Sequence, residues 1–131
     1  MAIEVTWGNP ERTIILQTYH GKWTWDEFFQ ASEIETGELM NSVEHIVDVI
    51  TDYTDSVSMP SSATLRFGRI YNLPIFRYSN AGKLLIVGPN YLIQVMLDLF
   101  QRIYPDTKVQ ILAVNTIEEA HSLLEESSEE T

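Results

Sequence analysis

The chain has 131 residues, of which 44% are hydrophobic and 21% charged, and its formal net charge is −11. This length suits one domain around a single hydrophobic core, and the composition excludes a wholly disordered chain. The lack of cysteine excludes disulfides and thiolate metal sites, and the acidic balance argues against nucleic-acid binding.

The sequence also predicts where the protein works. No apolar run approaches the about 20 residues that cross a bilayer, so we expect no transmembrane segment. Residues 1–4 lack the basic and then apolar pattern of a secretion signal. Together with the absence of cysteine, this predicts a cytoplasmic protein that forms one domain over residues 1–131.

The first 40 residues predict a β-hairpin and a helix. Apolar and polar residues alternate over residues 3–7, and residues 12–19 form a second strand after a Gly-Asn-Pro turn. Thr24 and Glu27 form a capping box, which predicts that a helix begins there and continues to about Met40.

The middle of the chain predicts a buried strand, a polar loop and a second helix. Residues 46–50 are a β-branched run, typical of a strand buried on both faces. Residues 51–59 are polar and predict a loop, and the next helix is expected over residues 61–71. That helix would place five residues at or near its inner side: Leu65, Phe67, Gly68, Ile70 and Tyr71.

The last third repeats the strand–helix order. Residues 83–88 predict a strand, residues 91–103 an amphipathic helix and residues 109–114 the last strand. A capping box of Thr116 and Glu119 opens the terminal helix, and residues 125–131 form an acidic tail that we expect to fray.

The order of elements is therefore β-β-α-β-α-β-α-β-α. Strands that alternate with helices favour a parallel sheet. We expect an α/β fold with a mixed, mostly parallel five-stranded sheet and an antiparallel N-terminal strand at its edge.

Residues 56–97 contain no aspartate or glutamate, although the chain as a whole is strongly acidic. This segment carries four cations, which we interpret as a candidate surface for an anionic partner: Arg66, Arg69, Arg77 and Lys83. The hypothesis requires these side chains to lie close together in the fold.

Polar residues are expected at the carboxyl edge of the sheet, where α/β proteins place their sites. The predicted loops there offer Asp52, Thr54, Asp55, Ser56, Ser58 and Asn90. Ser61 and Ser62 stand at the predicted helix start, where a serine is an N-cap or helps to bind a phosphate. We find no nucleotide-binding, hydrolase or zinc motif, and we predict no catalytic residue, no metal and no cofactor.

The element order, with the stretches Gly-Lys-Trp-Thr-Trp-Asp-Glu-Phe at 21–28 and Val-Asp-Val at 47–49, resembles the SpoIIAA-like superfamily. This superfamily joins STAS domains, which include anti-sigma-factor antagonists and sulfate-transporter tails, to CRAL-TRIO lipid-binding domains. In the bacterial antagonists, a serine of an Asp-Ser-Ser-Gly motif is phosphorylated. The matching stretch here is similar at Ser61 and Ser62, but Pro60 and Ala63 replace the flanking aspartate and glycine.

The sequence leaves three functions open. The first is a non-enzymatic, STAS-like regulatory module of a bacterial type that docks a protein partner through residues 52–71, with Ser61 and Ser62 as candidate phosphorylation sites. The second is a small lipid or amphiphile-binding domain of the CRAL-TRIO type, and the third is a hydrolase or phosphotransferase using residues 52–62. A homodimer is also open, because the first strand has a free edge.

Overall fold

The first two strands form the predicted hairpin. In the computed structural model, which describes residues 2–129 and side chains up to residue 125, β1 (Ile3–Trp7) runs antiparallel to β2 (Ile14–Lys22). Asn9 closes the turn, because its side-chain oxygen accepts hydrogen bonds from the backbone N–H groups of Thr13 and Ile14 at 3.0 and 3.2 Å. An asparagine that bonds backbone ahead of it is a common way to fix a turn.

Three further strands extend the sheet in parallel from β2. They are β3 (Val47–Ser58), β4 (Ala81–Val87) and β5 (Ile111–Val114), and the strand order is β1-β2-β3-β4-β5. The predicted α/β class, the five strands and the antiparallel first strand are therefore confirmed.

Helical segments connect the parallel strands. Between β2 and β3 lie α1 (Trp25–Phe29), a π-helical segment (Gln30–Glu35) and α2 (Thr36–Asn41). Between β3 and β4 lie a 3₁₀ segment (Ala63–Arg66), α3 (Phe67–Tyr71) and α4 (Pro74–Arg77). The remaining helices are α5 (Tyr91–Ile103) and α6 (Ile117–Glu129). Within residues 2–129, no helix has the length and apolar character needed to cross a membrane.

The two faces of the sheet are covered by different helices. On one face, Ile15, Val49 and Ile86 pack with residues of α1, α2 and α4. On the other, the buried side chains of Ile50, Leu85 and Val87 form a cluster with the α6 residues Ala120 and Leu124. Burial on both faces explains the β-branched composition of the central strands.

The segment predicted as a polar loop is strand. The predicted loop residues Asp52, Thr54, Asp55, Ser56 and Ser58 all belong to β3, which continues to Ser58. The strand continues because β2 runs beside it as far as the pair Lys22 and Ser58. Its backbone thus has hydrogen-bonding partners in spite of the many polar side chains of this segment.

The predicted helix over residues 61–71 is shorter and begins differently. Its first turn is the 3₁₀ segment, and Ser62 before it has a left-handed backbone with φ of 66°. Leu65, placed near the inner side by the sequence pattern, is instead 81% exposed, whereas Phe67 is buried. A 3₁₀ turn rotates each residue further than an α-turn does, so the predicted apolar face is broken at this point.

The end of the chain differs from the predicted tail in one respect. Helix α6 continues to Glu129, into the stretch of residues 125–131 that the sequence predicts to fray. Residues 130 and 131 lie outside the described residues.

Asp48 joins β3 to β4 through a side chain. Its Oδ1 accepts a hydrogen bond from the backbone N–H of Lys83 at 2.7 Å. Burial raises the pKa of Asp48 above its ordinary value of 3.8, and the hydrogen bond and charge of Lys83 oppose that rise. The native state therefore binds this proton more tightly than the unfolded chain does.

We predict that Asp48→Asn changes the pH dependence of stability. In the wild-type protein, the raised pKa of Asp48 adds to the free energy of unfolding at low pH. This added stability is lost as the pH rises from 3.8 through the pKa of the native state. The asparagine does not titrate, so the variant lacks this loss, but it keeps the oxygen that accepts from Lys83. Urea unfolding of both proteins over acidic to neutral pH measures the difference. A wild-type-minus-variant difference that does not fall with rising pH would contradict the prediction.

Candidate functional site: a polar cluster in an apolar cavity

A cavity of about 130 Å³ lies between the sheet and the helices of one face. Most of its wall is aliphatic or aromatic, and the rings that line it are those of Tyr19, Trp23, Trp25, Phe28, Tyr53, Phe67, Phe76 and Phe100. Many of the lining side chains are buried, so this space is a gap against the core that a small ligand could occupy.

Buried polar side chains converge on this cavity. Among the described residues, the buried polar side chains are Gln17, Ser32, Thr36 and Thr51, and all four line its wall. Gln17 is at the centre, because its Nε2 donates to Thr36 Oγ1 at 2.8 Å and its Oε1 accepts from the Tyr19 hydroxyl at 2.9 Å. The Ser32 hydroxyl also donates to Gln17 Oε1, at a longer 3.5 Å.

The π-helical segment places two of these residues. The capping box of Thr24 and Glu27 begins the helix as predicted, but the segment Gln30–Glu35 then widens it. Ser32 within this segment and Thr36 directly after it both face Gln17. Single π-helical turns occur often at functional sites because they redirect side chains without ending the helix.

Two tyrosines complete the polar side of the cavity. The rings of Tyr19 and Tyr53 stack with centroids 4.3 Å apart. Burial raises the pKa of Tyr53 to about 12 and raises the pKa of Tyr19 well above its ordinary value. Both hydroxyls therefore stay protonated at neutral pH and can donate hydrogen bonds.

The predicted cationic residues do not form one surface. Arg69 is paired with Glu33, because its Nε and NH2 donate to the two carboxylate oxygens at 3.0 and 3.1 Å, and this pair lowers the pKa of Glu33. Its guanidinium also lies 3.9 Å from the centroid of the Phe29 ring. The charge of Arg69 is thus largely compensated within the protein.

The other three cations lie against separate neighbours. Arg66 donates to the carbonyl oxygen of Ser62 and lies over the Trp25 ring at 5.7 Å, near the carboxyl end of β3. Arg77 lies over Tyr71 at 4.1 Å and lines a polar surface cavity of about 450 Å³ that also includes Ala81, at the start of β4. Lys83 follows in the first half of β4. Arg66 therefore lies at the carboxyl end of the parallel strands, whereas Arg77 and Lys83 lie toward their amino end. The four cations do not form one positively charged surface.

Ser61 and Ser62 are both exposed, but neither caps a helix with its side chain. Their carbonyl oxygens make the observed contacts instead: Ser61 accepts from Trp25 Nε1 at 2.7 Å, and Ser62 accepts from Arg66. Ser62 thus occupies the N-cap position of the 3₁₀ segment without a capping hydrogen bond from its side chain, and both hydroxyls stay candidates for modification.

The predicted edge residues make mostly local bonds. Asp52 Oδ1 accepts from the Thr54 backbone N–H at 3.0 Å, and Ser56 Oγ accepts from Trp23 Nε1 at 3.0 Å. Asn90 caps α5 by accepting from the Ile93 backbone N–H at 2.9 Å. The structure thus brings these residues to the carboxyl edge of the sheet, as predicted, but assigns most of them structural roles.

Exposed apolar side chains form a second feature of the same edge. Val57 at the end of β3 is 67% exposed, Leu65 is 81% exposed, and Tyr91 at the start of α5 is 83% exposed. Leu92, beside Tyr91, is 46% exposed. Leu65 lies in the 3₁₀ segment, which contacts α5, and Val57 lies at the end of the strand that precedes this segment. We call Val57, Leu65, Tyr91 and Leu92 the apolar edge.

Sequence reasoning missed both the polar cluster and the apolar edge. One signal for the cluster was present, since Gln17 and Tyr19 share the inward strand face with Ile15. A polar residue between two inward apolar ones marks a buried polar site, although the partners from the helix cannot be read from the strand alone.

The comparisons with known proteins add no relative. No family model matches the chain, and neither a curated protein nor a solved structure matches it significantly.

We predict that Gln17→Leu lowers the free energy of unfolding by about 2–3 kcal/mol, because it leaves the buried hydroxyls of Tyr19 and Thr36 without their partner. Gln101→Leu is the matched control, since Gln101 is exposed and the change should stay within about 0.5 kcal/mol. Urea unfolding monitored by tryptophan fluorescence measures both, and equal small effects would contradict a stabilising role for Gln17.

Proposed function

We propose that this protein is a non-enzymatic interaction module that docks a protein partner through the apolar edge. The observation that carries the proposal is the exposure of four apolar side chains: Leu65 on the 3₁₀ segment, Tyr91 and Leu92 on the α5 helix that this segment contacts, and Val57 at the end of β3. Large exposed apolar patches, of more than a few hundred Å², are rare on monomers and typically mark binding surfaces.

The charge pattern supports the same surface. All four residues of the apolar edge lie within residues 56–97, the segment without aspartate or glutamate. Burying a carboxylate in an interface is costly, so a partner that covers these four side chains buries no carboxylate of the segment itself, although Asp55 and Glu33 lie beside it. We therefore interpret residues 56–97 as a segment without negative charge of its own, in which Arg66 lies near the apolar edge. This interpretation replaces the predicted cluster of four cations.

The family resemblance is consistent with this proposal. In STAS domains the helix after the central strand faces the partner, and Leu65 lies in the corresponding segment here. Ser61 and Ser62 are exposed within four residues of Leu65, so phosphorylation there would add negative charge beside the docking surface. We propose a regulatory, STAS-like module that works in the cytoplasm and is switched off by such a modification.

A photo-crosslinking residue tests the docking surface. Placed at position 65 of the full chain in the native host, it should capture a protein partner, whereas the same residue at position 46 should not. Ile46 is the matched control because it is apolar and 57% exposed but precedes β3 at the opposite edge of the sheet.

Substitution then tests the affinity for the captured partner. We expect Leu65→Ser with Tyr91→Ser to weaken binding about 100-fold or more, because large side chains at an interface centre contribute about 1–2 kcal/mol each or more. Ile46→Ser should leave the affinity unchanged. Capture of a second copy of this chain would establish a homodimer at this edge, and equal capture from both positions would refute the proposal.

A further inference from the structure

We propose that the cavity between the sheet and the helices is a binding site for a small, neutral ligand with one hydroxyl group on an apolar body, of the size of a substituted phenol. This site is distinct from the apolar edge and is assigned on different observations: the cavity volume, the absence of charge in its wall, and the convergence of buried polar groups.

The volume sets the size of the ligand. At about 130 Å³, the cavity is close to the engineered apolar cavities of about 150 Å³ that bind benzene. Pockets for larger ligands measure about 300–1,000 Å³. A membrane lipid of the kind bound by CRAL-TRIO domains does not fit, whereas a single ring with a small substituent does.

The wall sets the charge of the ligand. None of the residues that line the cavity is aspartate, glutamate, lysine, arginine or histidine. An ionised ligand would lose its hydration without gaining a counter-charge, which costs several kcal/mol. The aromatic rings of Trp23, Phe28 and Phe100 offer contact to a flat apolar body instead.

The polar cluster supplies the hydroxyl recognition. Gln17 Nε2 donates one of its two N–H groups to Thr36, so the second can donate to a ligand oxygen. The hydroxyls of Tyr19 and Tyr53 stay protonated and stand on the same wall. A ligand hydroxyl can therefore both accept from and donate to this group.

The cluster is more than a core needs for folding. Apolar residues of similar volume commonly stabilise a core at least as well as buried polar groups do. In the described part of the chain, the four most buried polar side chains all line this one cavity, whereas the partly buried carboxylates of Glu35 and Asp48 lie outside it. This concentration is expected of a recognition site and not of polar residues scattered by chance.

p-Cresol is the probe for this site, and toluene is its matched analogue without the hydroxyl. In methyl-detected NMR of the full chain, p-cresol at millimolar concentration should shift the signals of Val49, Leu84 and Ile86, which line the cavity. Leu124, packed on the opposite face of the sheet, should not respond. Toluene should bind about five to tenfold more weakly, because it leaves the hydrogen bond unmade.

A charged analogue and a filled cavity complete the test. The anion 4-methylbenzoate should not bind, and Ala63→Leu, which adds three carbons to the wall, should abolish p-cresol binding while the circular dichroism spectrum stays native. If that variant does not fold, the ligand series on the wild-type chain decides. Equal affinity for toluene and p-cresol, a response at the apolar edge instead of the cavity, or no response to any probe would overturn the proposal.

Discussion

Parallel pairing between β2 and β3 continues to Lys22 and Ser58, whereas the pairing of β3 with β4 ends at Asp52 and Val87. The two strands therefore project beyond the rest of the sheet as a ribbon. Tyr19, Trp23 and Tyr53 pack together on this ribbon, with the Tyr19 and Trp23 ring centroids 5.2 Å apart. This ring cluster forms one wall of the cavity, and the end of the ribbon presents Val57 to solvent.

Both candidate sites follow from that extension. Without it, Tyr53 would lie in a loop and the cavity would lose the wall that carries its hydroxyl. The apolar edge would likewise lose Val57, which the strand holds at its end. The two irregular helical segments place their side chains in opposite directions. The π-helical segment directs Ser32, and Thr36 after it, toward the cavity, whereas the 3₁₀ segment leaves Leu65 exposed to solvent. The departures from regular α-helix thus lie beside the two proposed sites.

Elements with strong local signals were predictable from the sequence. The helix over residues 91–103 matches α5, because its apolar stripe and the Asn90 cap are both local. The capping box at Thr24 and the hairpin of β1 and β2 were also predicted, for the same reason. The parallel sheet followed from the alternation of strands and helices.

What the sequence could not show depends on distant partners. Residues 53–58 are mostly polar, and β2 is the one strand that pairs with them, so the sequence alone did not indicate that β3 continues there. The charge of Arg69 is compensated by Glu33, which lies 36 positions earlier in the chain. The sequence therefore showed how many cations the segment has, but not where they lie or which of them are paired. Gln17 was visible in the sequence, but its partners Ser32 and Thr36 depend on a π-helical turn that no local pattern announced. Side-chain direction at Leu65 depended in the same way on a 3₁₀ turn.

Amide hydrogen exchange of β3 tests the projecting ribbon most directly. The account predicts that amides of residues 47–52, which have strand neighbours on both sides, are uniformly protected. In residues 53–58 it predicts partial protection, because β2 is the one strand beside them and its pairing there is interrupted by two register shifts. Fast exchange throughout residues 53–58, as expected of a polar loop, would contradict the extension on which both proposed sites depend.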